Sequence, residues 1–423
     1  MAELLELWWG GLDGGSGLTR RDRAGCHYHA FLPDPLTGRT FQFEGRVAAD
    51  VADAERRLTS LDRAALTLGN TETLARLLLR AESVASSRIE GLEVAPRRLL
   101  RADVAREEGA SIADVTALEV LGNVDAMAFA VASVEEGSPI TKELILETHR
   151  RLLGETSQAQ HAGRIRTVQN WIGGSSYNPC SASFVPPPPD RVEGYLDDLC
   201  AFCNDDALPA VAQAAIAHAQ FETIHPFVDG NGRVGRALIQ MILRRRGLVR
   251  RTLPPVSLVL ATYSVDYIAA LRQTHVAVAP TSREAMDGIN AWVALFAAAC
   301  TRAVDDAATF EKAIETIKKG WLKRLGSVRS HSAARALLDV LTGVPIVTVK
   351  SAVKLTGRST PAVNDAIARL VDARILHQPN ARAWNRTFEA REIIDAFVGL
   401  ERKLASPAGD TVASPPARRV PAR

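Results

Sequence analysis

Twelve residues of this chain bring together side chains that suit acid–base and phosphate chemistry. They read HPFVDGNGRVGR, from His225 to Arg236, and combine a histidine, an acid, a glycine-rich turn and two arginines. A helical pattern, PAVAQAAIAHAQFETI, runs into the histidine, and the proline that follows disfavours helical geometry at His225. We therefore expect His225 just past a helix end, extended and presented by the loop, with Phe227 anchored in the core.

The same stretch predicts an anion site. Its glycines can adopt positive φ, and a helix that starts at about Gly232 would offer N–H groups without intrahelical partners. Arg233 and Arg236 share a face of the first turn, where the helix dipole disfavours cations unless an anionic ligand compensates them. Asp229 can hold a magnesium ion, which prefers oxygen ligands and commonly bridges phosphates. These positions favour a magnesium-bound polyphosphate beside His225 as general base. The alternative is a loop of structural glycines, a core histidine and solvated arginines.

The surrounding sequence predicts the helices that must position this loop. From about residue 48 to residue 325, apolar residues recur at three- and four-residue spacing, which is typical of amphipathic helices. Residues 1–45 read as loops, with one hairpin left open. A long loop rich in glycine and proline interrupts the helices at residues 155–190, and we expect one irregular hairpin within it. Loops of this length inside compact domains are commonly functional or disordered.

A different pattern begins near Ser330. A helix, two helices joined by a tight turn, two short strands and a closing helix predict a winged helix-turn-helix. Its recognition helix is expected from Thr360 to Val371, and DNA and a purely protein partner are both left open. The polar residues expected on this helix and on the wing are Thr360, Asn364, Asp365, Arg369, Arg382 and Arg386. The tail from about Ser406 is rich in proline, alanine and arginine and is expected to be disordered.

Composition bears on which partners the protein requires and on its cellular location. A net charge of +3 over 423 residues is too small to require a nucleic-acid or membrane partner for the whole molecule. The N-terminus carries acids where a signal peptide carries basic residues, and no apolar run approaches the roughly 20 residues of a membrane span. The five cysteines are odd in number and scattered, and the lone CxxC of Cys200 and Cys203 argues against zinc. We therefore expect no membrane association and a reducing cytoplasm.

The signature stretch resembles the loop of Fic-domain proteins, HPFx[D/E]GNGRxxR, at every fixed position. The similarity extends over roughly residues 80–300 and implies a Fic adenylyltransferase, or AMPylator, which transfers AMP from ATP to a hydroxyl side chain of a target protein. It implies that His225 takes the proton from that hydroxyl and that Asp229 holds Mg²⁺. The residues implied to bind the nucleotide are Gly230, Asn231, Gly232, Arg233, Gly235 and Arg236. Doc-like kinases carry lysine at the position of Gly232, so glycine favours AMP transfer.

A second motif, SSRIEGLE, begins at Ser86. Its Glu90 lies near a predicted helix end, with Gly91 as the residue that ends the helix. The pattern Ser86-x-x-x-Glu90-Gly91 resembles the family's inhibitory-helix motif, [S/T]xxxE[G/N]. The resemblance implies that Glu90 pairs with Arg236, blocks the γ-phosphate position and leaves ATP in an unproductive pose. The alternative is a solvated acid at a helix end.

The long loop and one tyrosine supply further candidates. VQNWIGGSS and SASFVPPPP resemble the two arms of the family's flap, where a target segment adds as a strand. The flap residues implied to contact the target are Trp171, Ile172, Gly173 and Gly174. Ordinary core packing of Trp171 is left open. Tyr267 is a candidate for the nucleoside pocket, and an ordinary core tyrosine is the alternative.

The patterns and the resemblance together predict a mainly α protein, a Fic-type helical bundle with a β-hairpin flap, followed by a small winged helix-turn-helix domain. The predicted divisions are an N-terminal region with the inhibitory helix (1–110), a catalytic domain (111–325), the winged helix (326–404) and a disordered tail (405–423). The leading hypothesis is a cytoplasmic, Mg-dependent protein adenylyltransferase that uses ATP. The other hypothesis is a nucleotide-sensing transcription regulator, which would need no base such as His225. A homodimer is left open.

Overall fold

The computed structural model describes residues 1–11, 19–64, 71–379 and 386–404. Helices dominate, as predicted. They are α1 (Arg20–Arg23), α2 (Gly45–Ala64), α3 (Thr71–Ile89), α4 (Pro96–Glu107), α5 (Val115–Ala132), α6 (Lys142–Leu153), α7 (Pro189–Cys203), α8 (Ala210–Ile224), α9 (Asn231–Arg245), α10 (Val256–Thr262), α11 (Ser264–Arg272), α12 (Arg283–Leu325), α13 (Ala333–Leu341), α14 (Val349–Thr356), α15 (Thr360–Asp372) and α16 (Arg391–Leu404). The strands are β1 (Glu3–Trp9), β2 (Cys26–Leu32), β3 (Ile346–Thr348) and β4 (Thr387–Glu389).

The chain divides into two compact units, and neither is continuous in sequence. Unit 1 comprises residues 1–55, 129–248 and 265–298, and unit 2 comprises residues 56–128, 249–264 and those from 299 onward. This division differs from the predicted boundaries near residues 110 and 325. Within unit 2, α4 is held to the C-terminal elements by a shared apolar cluster. In this cluster Leu100 and Val104 of α4 pack with residues of β3 and α16.

Unit 1 is built around α8. This helix is alanine-rich and apolar on every side, and all but one of its residues are buried, as expected for a central helix. It packs against α7 and α9, and the Trp292 indole of α12 donates to the Ala215 carbonyl at 2.7 Å. The N-terminal segment does form a hairpin, with β1 and β2 antiparallel from the pair Glu3 and Leu32 to the pair Trp9 and Cys26.

The long loop of unit 1 contains less regular structure than a full hairpin. A single antiparallel bridge joins Ile172 to Phe184, and two short 3₁₀ turns lie at Ala159–His161 and Pro179–Ser181. Proline and glycine account for this, because proline cannot donate to a strand ladder and glycine weakens strands.

The C-terminal part of unit 2 runs α13, β3, α14, α15, β4, α16. A capping box of Thr348 and Ser351 starts α14, and Gly357 in the left-handed region ends it. The helix α15 matches the predicted recognition helix. The predicted pairing of two short strands is present as a single bridge between His377 and Glu389, and β4 also pairs with β3, which the sequence analysis did not expect. Arg382 and the predicted tail lie outside the described residues. The classification as a winged helix stays a prediction.

One described helix, α5, is apolar and long enough to span a membrane by length and composition alone. It has 18 residues with a mean hydropathy of 1.5, a run that the sequence analysis did not single out. Ala117, Val120 and Leu121 of this helix are buried in one cluster with Val84 and Leu99 of unit 2. Such packing is typical of a core helix.

A disulfide joins Cys26, at the start of β2, to Cys180 in the second 3₁₀ turn. The sequence analysis gave no sign of this pair, because 154 residues separate the partners. Cys200 and Cys203 lie on α7, as expected. Burial raises the pKa of both thiols, for Cys200 to about 12. Because disulfides are rare in a reducing cytoplasm, the cysteines no longer support that location, which stays a prediction.

Candidate functional site

His225 ends α8 in the left-handed conformation, with φ 50° and ψ 60°, and its N–H donates to the Phe221 carbonyl at 2.9 Å. The predicted extended backbone is therefore wrong. The left-handed conformation also avoids the α region that Pro226 disfavours, while closing the helix with a hydrogen bond. The ring Nδ1 lies 3.3 Å from the Glu222 carbonyl. A carbonyl only accepts, so Nδ1 carries the proton. In the neutral ring Nε2 is then the acceptor nitrogen, as a general base requires.

Asn231 holds the loop in shape. Its side-chain oxygen accepts from the Phe227 N–H and its amide donates to the Phe227 carbonyl, each at 2.8 Å. Phe227 is fully buried, as predicted. Because the Asn231 side chain is engaged by the loop, its backbone N–H at the start of α9 is the group that can face an anion. Gly230 precedes it with φ 81°, and a Cβ there would lie 2.7 Å from Leu152.

His149 of α6 packs against the loop, and the sequence analysis did not identify it. Its ring stacks on Phe227 with centroids 3.7 Å apart. Nε2 donates to the Asp229 carbonyl at 3.0 Å, and Nδ1 accepts from the Gly163 N–H at 3.0 Å. Burial lowers the pKa of His149 to about 4, so the ring is neutral at physiological pH. A lone histidine in a helical pattern carries no sequence signal for this role.

The two signature arginines are buried, not solvated. Arg233 is 4% exposed and Arg236 is 1% exposed. One Arg233 nitrogen, Nη2, lies 3.3 Å from the Asp229 carboxylate. Within the described part of the chain, Nε and Nη1 of Arg233 have no hydrogen-bond partner. Buried polar groups are almost always paired, so these N–H groups are available to donate to a bound anion.

Asp229 faces the same turn. Its carboxylate is half exposed and accepts the Gly230 N–H at 2.6 Å. Across the described residues, no group of three or more His, Cys, Asp or Glu could form a metal site by itself. Magnesium is commonly held by one or two carboxylates together with substrate phosphates. A single carboxylate beside an anion site therefore fits a metal that arrives with a nucleotide.

The two glycines of α9 differ in position: Gly232 lies at the start of the helix, and Gly235 lies at the contact with α8. Gly232 is buried at the second position of the helix. A Cβ on Gly235 would lie 2.6 Å from Glu222 Oε1 and 3.0 Å from the Phe221 ring. Gly235 therefore allows α8 and α9 to approach closely, which is a packing role and needs no phosphate contact.

The flap candidates lie on the first arm of the long loop. Ile172 is 40% exposed, and its N–H donates to the Phe184 carbonyl at 2.8 Å. Gly173 and Gly174 follow with φ near 75°, and a Cβ on either would meet the opposite arm within 2.3 Å. Trp171 is half-buried; its indole donates to the Ser175 carbonyl, and its ring packs edge-on against Trp9. Trp171 thus packs within unit 1, which was the alternative left open.

The inhibitory motif ends α3 in unit 2. Ser86 is buried and Glu90 is exposed just past the last helical turn. Gly91 has φ 84° and donates to the Arg88 carbonyl at 2.9 Å, so its predicted place at the helix end is confirmed. Arg236 belongs to unit 1. Pairing of Glu90 with Arg236 stays a prediction.

Tyr267 lies in the core of unit 1. It is 3% exposed, and its hydroxyl lies 2.7 Å from Nε2 of His218, a residue of α8. Burial, with a smaller contribution from Arg236, lowers the pKa of His218 to about 3. This neighbourhood favours the core alternative, and a nucleoside contact of Tyr267 stays a prediction.

Comparison with known proteins agrees with this site. Residues 139–243 match the Fic/DOC family, and residues 48–132 match the Fic/DOC family N-terminal region. The histidine loop and the two buried arginines thus lie in a region that is similar to the Fic/DOC family. The two matched regions together span a little under half of the chain.

Two of the curated relatives are named as protein adenylyltransferases. Protein adenylyltransferase fic-1 of Caenorhabditis elegans is 37% identical over 158 residues, 36% of this chain and 28% of the relative. Protein adenylyltransferase Fic of Drosophila grimshawi is 32% identical over 243 residues, 54% of this chain and 47% of the relative. The chain thus spans less than half the length of these two curated relatives. A Fic family protein from Desulfovibrio desulfuricans G20, solved as a crystal structure, aligns over 83% of this chain and 97% of that one, with 20% identity and a TM-score of 0.49.

Proposed function

We propose that this protein is a protein adenylyltransferase that transfers AMP from ATP to a hydroxyl side chain of a target protein. The observation that carries the proposal is the buried guanidinium of Arg233, with two unpartnered N–H groups in the first turn of the helix that follows His225. A polyphosphate satisfies those groups and the helix N-terminus together. The names of the curated relatives, protein adenylyltransferases, support the same activity.

In the proposed reaction, the target hydroxyl oxygen attacks the α-phosphorus of ATP. The bond between that oxygen and phosphorus forms, the bond from the α-phosphorus to the bridging oxygen breaks, and pyrophosphate leaves with the electron pair. His225 takes the hydroxyl proton on Nε2, because the Glu222 carbonyl holds the proton on Nδ1. Arg233 and the N–H groups of α9 hold the phosphates, so positioning and charge stabilisation provide most of the rate.

Magnesium is the ion we propose for this site, with Asp229 as its protein ligand. When bound, the ion would neutralise phosphate charge and orient the phosphate groups. The exposed carboxylate of Asp229 fits that role. Removing magnesium with a chelator should abolish transfer, and adding it back should restore it.

The activity is tested by incubating the Glu90→Gly protein with Mg²⁺ and ATP labelled on the α-phosphate, with and without lysate proteins. We expect labelled protein, and no label from ATP labelled on the γ-phosphate. The control is His225→Asn, because asparagine tolerates the left-handed backbone but supplies no base. It should bind ATP like the parent and transfer nothing. Absence of α-label from every protein would overturn the proposal and leave the nucleotide-sensing regulator as the alternative.

We further propose that Glu90 restrains the enzyme by pairing with Arg236, as the motif resemblance implies. Glu90→Gly should then raise self-labelling, because the γ-phosphate gains access to Arg236. Adding Arg236→Ala should reverse that gain, so the two substitutions should be strongly non-additive. Glu93→Gly, three residues further along, is the matched control and should leave labelling unchanged. Equal labelling of Glu90→Gly and the parent would make Glu90 an ordinary helix-end acid.

The proposal also covers the cellular location of the protein and the partners of its C-terminal elements. We place the enzyme in the cytoplasm, with its C-terminal elements binding DNA or a protein partner. Lys354, Arg358 and Arg369 are exposed on or beside α14 and α15, next to exposed acids such as Asp365. Gel-shift titration of the full chain with duplex DNA at two salt concentrations tests the nucleic-acid partner, since phosphate contacts weaken as salt rises.

A further inference from the structure

Arg166, at the start of the flap's first arm, is a buried side chain with several hydrogen bonds around the site. It is 2% exposed. Its guanidinium donates to backbone carbonyls of three separate segments of unit 1. The acceptors are the carbonyls of His225 (2.8 Å from Nε), Val168 (2.9 Å from Nη1), Pro187 (2.5 Å from Nη2) and Ile224 (3.4 Å from Nη2). Its own N–H donates to the Pro226 carbonyl at 2.9 Å.

These bonds connect parts of the site that nothing in the sequence places together. Val168 belongs to the first arm of the flap, Pro187 ends the second arm, and Ile224 and His225 form the last turn of α8. Asn170, four residues after Arg166, adds a parallel connection, since its amide donates to the Phe227 carbonyl at 2.6 Å. Both arms of the flap are therefore bonded to the loop that carries the base.

The charge of Arg166 is offset by dipoles. Its bonded acceptors are carbonyls, and two of them lie at the C-terminal end of α8, where the helix dipole is negative. Burial lowers the pKa of Arg166 to about 10, which still leaves the side chain cationic at neutral pH. A planar guanidinium can donate in several fixed directions at once, which an ammonium cannot do.

The backbone of His225 needs such support. A non-glycine residue in the left-handed region is strained and stays there only when its surroundings hold it. Arg166 binds the carbonyl of this strained residue directly.

We propose that Arg166 is a positioning residue, which fixes the His225 backbone and both flap arms in one geometry so that the base meets the hydroxyl presented on the flap. The inference rests on the proposed transfer activity. It predicts that loss of the guanidinium lowers turnover while leaving the nucleotide site intact, because the groups that hold the phosphates lie on α9.

The test compares Arg166→Lys with Arg164→Lys, both in the Glu90→Gly background. Arg164 is exposed and two residues away, so it controls for the same chemical change in the same segment. At saturating ATP, Arg166→Lys should lower turnover by roughly 10- to 100-fold, the effect expected of a misplaced reacting group. Its ATP affinity should stay within about threefold of the parent, and Arg164→Lys should match the parent in both measurements.

Hydrogen–deuterium exchange provides a readout that does not depend on activity. Arg166→Lys should speed exchange at residues 168–187 and 225–228, with little change across α9. If Arg166→Lys fails to fold, Arg166→Gln replaces it, because glutamine removes the buried charge and keeps an amide donor. Parental turnover in the folded variant would overturn the inference, as would loss of ATP binding in proportion to turnover. If the Glu90→Gly parent transfers no label, the proposed function fails, and unchanged exchange in Arg166→Lys would separately overturn the structural part.

Discussion

At the scale of single residues, the burial of Arg233 changes how the signature stretch is interpreted. Arg233 is not a solvated cation that a ligand happens to meet, because its guanidinium is enclosed and only partly paired. A buried, unsatisfied group lowers the stability of the fold until a ligand satisfies it. The side chain is therefore better explained by binding than by folding, and the two contributions can be separated by substitution.

Arg233→Met should weaken ATP binding at least about tenfold, since a hydrogen bond to a charged group is worth roughly 1.5–3 kcal/mol. Stability should stay equal or rise, because methionine removes a poorly paired buried charge. Titration calorimetry with ATP and thermal unfolding measure the two effects.

The matched control for this prediction is Arg245→Met, on the same helix. Arg245 is also buried, but it is bonded to Asp206 and to the Asn204 carbonyl. Its loss should lower stability and leave ATP affinity unchanged. If instead Arg233→Met lost stability and kept its ATP affinity, Arg233 would be a structural residue.

At the scale of elements, the distance between α8 and α9 sets the geometry of the site. The first helix ends at His225, the proposed base, and the second begins at the proposed anion site. Gly235 lies where they touch, with the rings of Phe221 and His218 within 3.1 Å of where a Cβ would be. A side chain at this position requires the Glu222 carboxylate to move and the two rings to shift by a few tenths of an ångström.

Gly235→Ala should therefore lower stability by about 1–3 kcal/mol through overpacking, despite the better helix propensity of alanine. Transfer activity should fall as well, because the base and the phosphate site move relative to each other. Gly194→Ala on α7 is the control, since a Cβ there meets nothing within 4 Å. It should raise stability by up to about 1 kcal/mol. Chemical denaturation of both variants decides the matter, and a Gly235→Ala protein as stable as Gly194→Ala would contradict the packing role.

At the scale of the whole molecule, unit 2 brings α3, which ends in the Ser86–Gly91 motif, and the C-terminal elements into one compact body. Arg101 of α4 binds the buried Glu389 of β4 at 2.7 Å, and Arg88 of α3 lies 3.5 Å from the buried Glu401 of α16. Burial raises the pKa of Glu401 to about 7, and the opposing effect of Arg88 is smaller. Ion pairs of this kind connect the motif helix to elements more than 250 residues away in sequence.

Glu401 should make stability depend on pH. Between its ordinary value near 4.5 and about 7, the unfolded chain releases a proton that the folded protein keeps, so stability falls as pH rises. Glu401→Gln should remove this loss, so it should match the parent at pH 4.5 and exceed it at pH 8 by on the order of 3 kcal/mol. Urea unfolding at both pH values measures the difference. A constant offset between Glu401→Gln and the parent at all pH values would rule out titration as the cause.

The residues His225 to Arg236 could be interpreted from sequence because their chemistry is local. A helix end, a proline, a glycine turn and a helix start lie within twelve positions, so spacing alone predicts the anion site. The helices themselves follow from apolar periodicity, and α15 begins where the pattern predicts. The left-handed backbone of His225 did not follow, because the helix end and the proline act on it together.

Only the tertiary structure decided which distant groups support that loop. His149 under Phe227, the bonds of Arg166 to the His225 carbonyl 59 residues away, and the Cys26–Cys180 disulfide carry no periodicity or motif. The same holds for the burial of Arg233, which turns a charged residue into an unsatisfied donor. The physical reason is that local sequence sets backbone preference and helical faces, whereas desolvation and hydrogen-bond pairing depend on which segments meet when the chain folds.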